Sequence, residues 1–153
     1  MELELFWNLV SGQVWIISIT LFYFYVMTRH KQLVYIMVVL ILNWVINVVL
    51  KQIIHQLRPG QTECSWNTCG MPSGHSQYIA CFFIMFFMLV FIEWDKGVRN
   101  QALYLKLTCL FSLFMVLSRQ SLGYHTDVQG YIGLLVGFLI GLPSSLLYMK
   151  WYV

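Results

Sequence analysis

Charged side chains are scarce in this sequence of 153 residues, which has 9 lysines and arginines and 6 aspartates and glutamates. They make up 10% of the chain, whereas charged residues make up about 25% of a typical soluble domain. Hydrophobic residues make up 59%, and the mean hydropathy is +0.72. This shortage of charge excludes an ordinary soluble domain and predicts an integral membrane protein.

Linkers and low-complexity tracts are also missing, and no polar stretch is long enough to form a separate soluble module. We therefore predict a single domain over residues 1–153. The formal net charge is only +3. Because membrane orientation is enough to account for the basic residues, the composition predicts no nucleic-acid partner.

Apolar segments are abundant, and five of them approach the length of a membrane span. A transmembrane helix needs about 20 residues to cross about 30 Å of hydrocarbon. The pattern therefore predicts an all-α protein, an integral membrane bundle of about five transmembrane helices. The five segments are about Leu5–Met27, Gln32–Leu50, Ser76–Ile92, Leu103–Leu117 and Tyr131–Met149.

The last of these segments carries three glycines at four-residue spacing, Gly133, Gly137 and Gly141. This spacing puts them in one stripe along a helix. Small residues let neighbouring helices approach closely in a membrane. We expect the stripe to be a packing seam.

Three polar strings interrupt the apolar pattern: KQIIHQLRP at 51–59, PSGH at 72–75 and SRQSLGYH at 118–125. The first ends the second predicted helix, the second opens the third, and the third follows the fourth. Counting the crossings puts all three strings on the same side of the membrane. They are therefore predicted to share one site.

The distribution of cations predicts which side this is. The side with the strings has only Lys51, Arg58 and Arg119, all within the strings. Because cytosolic loops carry the excess of lysine and arginine, we expect the site to face away from the cytosol, into a lumen. The cations on the other side are Arg29, Lys31, Lys96, Arg99, Lys106 and Lys150.

Three cations, Lys51, Arg58 and Arg119, share this side with only two acids, Glu63 and Asp127. The excess of positive charge requires an anionic ligand. Phosphate fits, since arginine donates paired hydrogen bonds to phosphoryl oxygens and lysine adds a compact charge. The alternative is that the three side chains only extend to the membrane interface to reach water.

Small polar residues accompany these cations. Ser73 and Gly74 precede the third predicted helix, where a hydroxyl and backbone N–H groups would complete a phosphate cradle. The polar residues Asn43, Asn47, Lys51 and His55 recur at four-residue spacing, which predicts that they share one face of the second helix. Polar groups in a bilayer face a wet cavity or a partner helix, and both roles are open for the asparagines.

The order and spacing of the three strings resemble the signature of the type 2 phosphatidic acid phosphatase (PAP2) superfamily, K-x6-RP, PSGH and SR-x5-H. The resemblance implies a PAP2-like membrane phosphatase that acts on a lipid phosphate and needs no metal or other cofactor. It also implies that His125 attacks phosphorus to form a phosphohistidine and that His75 protonates the leaving oxygen. Imidazole suits both roles because its pKa is near neutral pH.

One position departs from the family pattern, which usually ends H-x3-D with an aspartate that orients the nucleophilic histidine. Here Gln129 lies four residues after His125, and Asp127 lies two residues after it. If a helix has already begun there, Gln129 shares a face with His125 and Asp127 points away. We therefore expect Gln129 to orient His125; the alternative is that Gln129 only caps or packs the last helix.

Glutamine at this position is also typical of dolichyl diphosphatases and glucose-6-phosphatases. The strings GMPSGHSQ at 70–77 and YHTDVQ at 124–129 are closer to dolichyl diphosphatases than to the phosphatidate enzymes. The resemblance covers about residues 43–141. It implies removal of the terminal phosphate from a polyprenyl diphosphate at the luminal face of the endoplasmic reticulum.

Two alternative functions remain open. A metal site could form on the luminal side, although the three cations oppose it; its ligands would come from His55, Glu63, His75, His125 and Asp127. The chain could also be a degenerate PAP2 subunit with a structural role in a membrane protein assembly, because family members usually have six spans. Against this, it keeps the five motif residues Lys51, Arg58, His75, Arg119 and His125.

Cysteine leaves one further alternative open. Cys64 and Cys69 lie five residues apart in the loop between the first two strings, and Cys81 and Cys109 lie in predicted helices. In an oxidising lumen Cys64 and Cys69 could form a disulfide. Otherwise they would be free thiols.

Overall fold

The computed structural model describes residues 12–29, 31–65, 68–93, 110, 114 and 117–152. All regular secondary structure in these ranges is helical, and they contain no strand. Residues 110, 114 and 117–121, before the last long helix, are also helical. The long helices are α1 (Gln13–Thr28), α2 (Lys31–Ile54), α3 (Gly74–Glu93) and α4 (Asp127–Tyr152). The predicted all-α fold is confirmed.

Two helices, α2 and α4, are long and apolar enough to cross a membrane, over 24 and 25 residues respectively. The apolar parts of α1 and α3 are shorter. The second and fifth predicted helices correspond to α2 and α4, which extend a few residues further at their ends. The beginning of the first predicted helix and almost all of the fourth, Leu103–Leu117, lie outside the described residues.

Large apolar side chains cover the outside of the helices. Trp15, Ile19, Trp44 and Trp151 each expose more than half of their surface. Such a surface would be costly in water, but it matches the hydrocarbon of a bilayer. The exposed apolar side chains thus agree with the integral membrane protein that the composition predicts. The apolar core between the helices is formed by Leu21, Ile36, Val39, Leu40, Ile79, Cys81, Phe82 and Met85.

The helices α3 and α4 form the most extensive contact, along the glycine stripe of α4. A Cβ at Gly133 or Gly137 would overlap the carbonyl oxygen of Ser73 or Gln77, respectively, and Gly141 packs the same way further along. The α3 backbone therefore rests directly on α4. The predicted packing seam is confirmed, and it sets the first turn of α3 against the first turns of α4.

Buried amide side chains join α2 to α3. Asn47 Nδ2 donates to Gln77 Oε1 at 2.8 Å and to the Pro72 carbonyl oxygen at 3.2 Å. Gln77 Nε2 donates to the carbonyl oxygen and to Oδ1 of Asn43, both at 2.9 Å. Buried polar groups that satisfy one another in this way link helices and fix their register. Of the two roles open for Asn43 and Asn47, the structure shows helix bridging.

The loop between α2 and α3, residues 55–73, is tied back onto itself. A disulfide joins Cys64 to Cys69, so the disulfide alternative is the one that the structure supports. Immediately after it, the Gly70 N–H donates to the Gln56 carbonyl oxygen at 2.6 Å. The far end of the loop is thereby anchored to the end of α2.

Candidate active site

The three motif strings meet at one end of the bundle, as the count of crossings predicts. Lys51 is buried in the last turn of α2, His75 lies in the first turn of α3, and His125 lies two residues before α4. Arg58 follows α2, and Arg119 lies among the helical residues 117–121 before α4. Both histidines lie within electrostatic range of all three cations. The structure thus brings the five motif residues together.

Other cations lie at the opposite end. Lys31 begins α2 and Lys150 lies in the last turn of α4. Because α2 runs towards the site and α4 runs away from it, these lysines are a helix length from the motif residues. Arg29, just before α2, belongs to the same end. The remaining cations of that predicted side, Lys96, Arg99 and Lys106, lie outside the described residues.

His125 is almost fully enclosed, with 4% of its surface exposed, whereas His75 is half-buried. The Nδ1 atom of His125 lies 3.2 Å from Gln129 Oε1. An amide oxygen can only accept a hydrogen bond, so Nδ1 carries the proton and Nε2 keeps a free lone pair. His125 lies outside α4, which begins at the exposed Asp127, so the contact arises not from a shared helical face but because the Gln129 side chain folds back over the N-terminus of the helix. The predicted placement of Gln129 beside His125 is confirmed.

Gln129 also caps the N-terminus of α4. Its Oε1 accepts from the Thr126 N–H at 3.2 Å, and its own N–H donates to Thr126 Oγ1 at 3.3 Å. This reciprocal pair is a capping box, which satisfies backbone donors that the first turn of a helix otherwise leaves without partners. The T-x-x-Q spacing at 126–129 is its sequence signal. Gln129 therefore makes both the contact with His125 and the helix cap, and its role in orienting His125 stays a prediction.

The environment of His125 keeps its imidazole neutral. Burial is the main reason that its pKa is lowered to about 4. The charges of Arg58, Arg119 and Lys51 lower it further, while the hydrogen bond with Gln129 opposes them. With such a pKa, the ring is uncharged at pH 7. A neutral imidazole with a free ring nitrogen can act as a nucleophile.

Arg119 is buried and Arg58 is half-buried, and neither has an acidic partner among the described residues. The Nε of each is buried and has no hydrogen-bond partner in the part of the chain that the structure describes. The Arg119 guanidinium stacks on Tyr124, with Cζ 4.3 Å from the ring centroid. Burial lowers the pKa of both arginines, while Glu63 and Asp127 are exposed to solvent. Buried donors and uncompensated positive charge favour an anion at this point.

Ser73 and Gly74, expected in the phosphate cradle, have partners within the protein. The Ser73 N–H donates to the Gln129 carbonyl oxygen at 3.1 Å, and its fully buried hydroxyl accepts from Ser76 at 3.2 Å. A Cβ at Gly74 would lie 3.1 Å from Asn47 Oδ1. Both residues therefore have a packing role, and their contact with phosphate stays a prediction.

A metal-binding cluster at the predicted positions does not form among the described residues. The set of potential ligands that comes together, within 4.8 Å, is His55 with the sulfurs of Cys64 and Cys69. Because these sulfurs form a disulfide, they lack the thiolate character that metal ligation needs.

Two residues inside the motif strings have roles that the sequence does not reveal. Gln56 Oε1 accepts from Gln129 Nε2 at 3.3 Å, and the Tyr124 ring supports the Arg119 guanidinium. Both occupy unspecified positions of the family signature. An isolated amide or aromatic residue is too common to be selected from sequence, so these roles emerge only from the geometry.

A helical bundle that gathers two histidines and three cations at one end is the arrangement that the PAP2 signature predicts. The PAP2 superfamily model matches residues 32–152, and the chain belongs to this superfamily. The lipid phosphate phosphatase epsilon 1, chloroplastic, of Arabidopsis thaliana is 33% identical to it over 140 residues, covering 90% of this chain and 46% of that protein.

The dolichyldiphosphatase of Saccharomyces cerevisiae is 25% identical over 144 residues, covering 84% of this chain and 60% of that protein. The chain thus spans about half the length of the curated relatives it matches. A similar fold occurs in the crystal structure of the first transmembrane PAP2 type phosphatidylglycerolphosphate phosphatase from Bacillus subtilis. The TM-score is 0.73 at 19% identity, over 97% of this chain and 78% of that one. At this identity the likeness concerns the fold alone.

Proposed function

We propose that this protein is a membrane lipid phosphatase that hydrolyses a polyprenyl diphosphate to the monophosphate through a phosphohistidine at His125. The main support for the proposal is that a neutral His125, hydrogen-bonded to Gln129, lies near two arginines whose buried Nε atoms have no hydrogen-bond partner among the described residues. A candidate nucleophile and donors suited to an anion are thus combined. Membership of the PAP2 superfamily supports phosphatase chemistry.

In the proposed mechanism, Lys51, Arg58 and Arg119 bind the terminal phosphate and offset the charge on its oxygens. His125 Nε2 attacks phosphorus while the bond to the bridging oxygen breaks. His75 donates a proton to that oxygen, and the polyprenyl monophosphate leaves. Water then gives its proton to His75 and attacks the phosphohistidine, which releases inorganic phosphate and restores His125.

Two features support a diphosphate substrate. The strings at 70–77 and 124–129 resemble those of dolichyl diphosphatases, and a yeast dolichyldiphosphatase is among the relatives. A diphosphate also offers two phosphoryl groups to the three cations. The Arabidopsis relative, named for a lipid phosphate, supports a lipid monophosphate as the second candidate substrate.

We propose further that the site faces the lumen of the endoplasmic reticulum. The described cations outside the motifs, Arg29, Lys31 and Lys150, lie at the other end of the helices, which suits a cytosolic position. The Cys64–Cys69 disulfide suits an oxidising compartment on the side of the site. The resemblance to dolichyl diphosphatases is the reason for choosing this organelle.

Phosphate release by the purified protein tests the proposed function. Polyprenyl diphosphate, phosphatidate and glucose 6-phosphate would be compared in detergent micelles, with His125→Ala as the inactive control. We expect the diphosphate to be hydrolysed fastest and His125→Ala to release no phosphate. A correctly folded wild-type protein that hydrolyses none of the three would instead favour the structural-subunit alternative.

A further inference from the structure

The amide of Gln129 is hydrogen-bonded at every position. Its Oε1 accepts from His125 Nδ1 and from the Thr126 N–H, each at 3.2 Å. Its Nε2 donates to the Leu57 carbonyl oxygen at 2.8 Å and to Gln56 Oε1 at 3.3 Å. Two acceptor sites on oxygen and two donors on nitrogen are the full capacity of an amide. None is left for water or ligand.

These partners fix the direction in which the amide faces. A flipped amide would set its NH2 group against the Thr126 N–H and its oxygen against the Leu57 carbonyl oxygen. Neither backbone group can change from donor to acceptor. Gln129 is 1% exposed, so water does not replace the lost bonds. Only the observed direction presents an acceptor to His125 Nδ1.

Gly70 packs directly against the amide of Gln129. A Cβ at Gly70 would overlap the amide atoms of Gln129, so a glycine is needed to leave room for them. The Gly70 N–H donates to the Gln56 carbonyl oxygen. This bond joins Gly70 to Gln56, whose side chain accepts from Gln129 Nε2. The Cys64–Cys69 disulfide directly precedes Gly70 and restrains the loop that carries it.

We propose that Gln56 and Gly70 are positioning residues that lock the Gln129 amide and thereby hold His125 in the tautomer that leaves Nε2 free to attack. This inference rests on the proposed function and adds how the tautomer of its nucleophile, His125, is fixed. It also explains an amide at position 129. A glutamate of the same length would set a carboxylate oxygen against the Leu57 carbonyl oxygen, acceptor against acceptor.

Substitution of Gln56 tests the first part of the lock. Gln56→Leu removes the side-chain oxygen that accepts from Gln129 Nε2, and Gln56→Glu keeps an oxygen there. The control Gln52→Leu alters another exposed glutamine, one turn earlier in the chain. We expect turnover to fall about tenfold in Gln56→Leu with KM little changed. Turnover should stay within about twofold of the wild type in Gln56→Glu and Gln52→Leu. Equal losses in Gln56→Leu and Gln52→Leu would overturn the inference.

Substitution of Gly70 tests the second part. Gly70→Ala should displace the amide and lower turnover at least about tenfold. Gly60→Ala adds a methyl group to the same loop where nothing lies within 4 Å; because φ is +76° there, it strains the backbone and should lower stability while keeping most of the activity. Adding Gln129→Asp to Gly70→Ala should restore part of the turnover, because the shorter side chain leaves space for the methyl group. A loss that Gln129→Asp does not relieve would count against positioning.

A spectroscopic measurement separates this inference from the proposed function. The ¹⁵N shifts of histidine-labelled protein report the tautomer of His125, with the signal assigned by its loss in His125→Gln. We expect the Nδ1–H form in the wild type and a mixture in Gln56→Leu and Gly70→Ala. If the tautomer shifts as expected but no lipid phosphate is hydrolysed, the positioning role stands and the proposed function fails. If phosphate is released but the tautomer is unchanged in both variants, the positioning role fails.

Discussion

At the level of single residues, the two tasks of Gln129 can be separated by mutation. Gln129→Ala removes both the contact with His125 and the helix cap, and should lower kcat about 10- to 100-fold. Thr126→Ala removes a hydroxyl of the cap but leaves the Gln129–His125 contact, so it should lower the free energy of unfolding by about 1 kcal/mol with kcat nearly unchanged. Because Asp127 is exposed, Asp127→Asn should change kcat little. Equal losses of kcat in Gln129→Ala and Thr126→Ala would assign the effect to the cap.

His75 should matter more for one kind of substrate than for another. The leaving group of a diphosphate is a phosphate monoester, which needs protonation far less than the alkoxide expelled from a monophosphate. We therefore expect His75→Ala to lower monophosphate hydrolysis about 100-fold and diphosphate hydrolysis less than about tenfold. Phosphate release from a matched pair of polyprenyl substrates measures this difference. Equal losses on both would argue against His75 as the general acid.

The low pKa of His125 predicts activity that persists in acid. Because the neutral ring attacks, kcat/KM for the free protein should decline only towards pH 4, where His125 titrates, and not near the usual 6.5. A bound phosphate offsets Arg58, Arg119 and Lys51, so kcat should decline at a higher pH than kcat/KM. Since the folded pKa is below the unfolded value, the fold should also lose stability as the pH falls from 6.5 towards 4. A decline of kcat/KM centred at 6.5 would contradict this account.

At the level of the helices, the glycine seam between α3 and α4 is the contact most sensitive to added volume. A Cβ at Gly137 would overlap the Gln77 carbonyl oxygen, so Gly137→Ala should lower the free energy of unfolding by about 1–3 kcal/mol. Leu139→Ala, at an exposed position of the same helix, is the matched control and should change it little. Thermal unfolding in detergent compares the two. Similar unfolding midpoints for both variants would show that the seam accommodates the added methyl group without loss of stability.

The helices and the contact between His125 and Gln129 could be predicted from the sequence because both depend on local patterns. Apolar runs of sufficient length mark α2 and α4, and the T-x-x-Q spacing at 126–129 folds the Gln129 side chain back towards the residues just before the helix. The bridging of Asn43 to Gln77 and the use of the Ser73 N–H by the Gln129 carbonyl oxygen depend on how helices pack. Such contacts join residues far apart in the chain, and a helical period does not encode them.

At the level of the whole molecule, the arrangement in the membrane can be tested by labelling. In a variant without Cys81 and Cys109, Glu63→Cys and Lys150→Cys each introduce an exposed thiol at opposite ends of the bundle. With an impermeant maleimide and sealed microsomes, we expect Lys150→Cys to react at once and Glu63→Cys only after the membrane is opened. The parent variant should stay unlabelled, because Cys64 and Cys69 are joined. Reaction of Glu63→Cys in sealed microsomes would reverse the proposed orientation.

Arg58 and Arg119, which have no acidic partner among the described residues, have a consequence for the lifetime of the protein. Like charges held close together oppose folding, so a bound anion should stabilise this chain. Any tetrahedral anion that enters relieves the repulsion, and a ligand at 100 times its Kd adds about 2.7 kcal/mol to the free energy of unfolding. With the proposed phosphate site, survival of the protein in its membrane would be coupled to the local supply of phosphate. The same cations that would bind the substrate would make a protein without substrate easier to unfold.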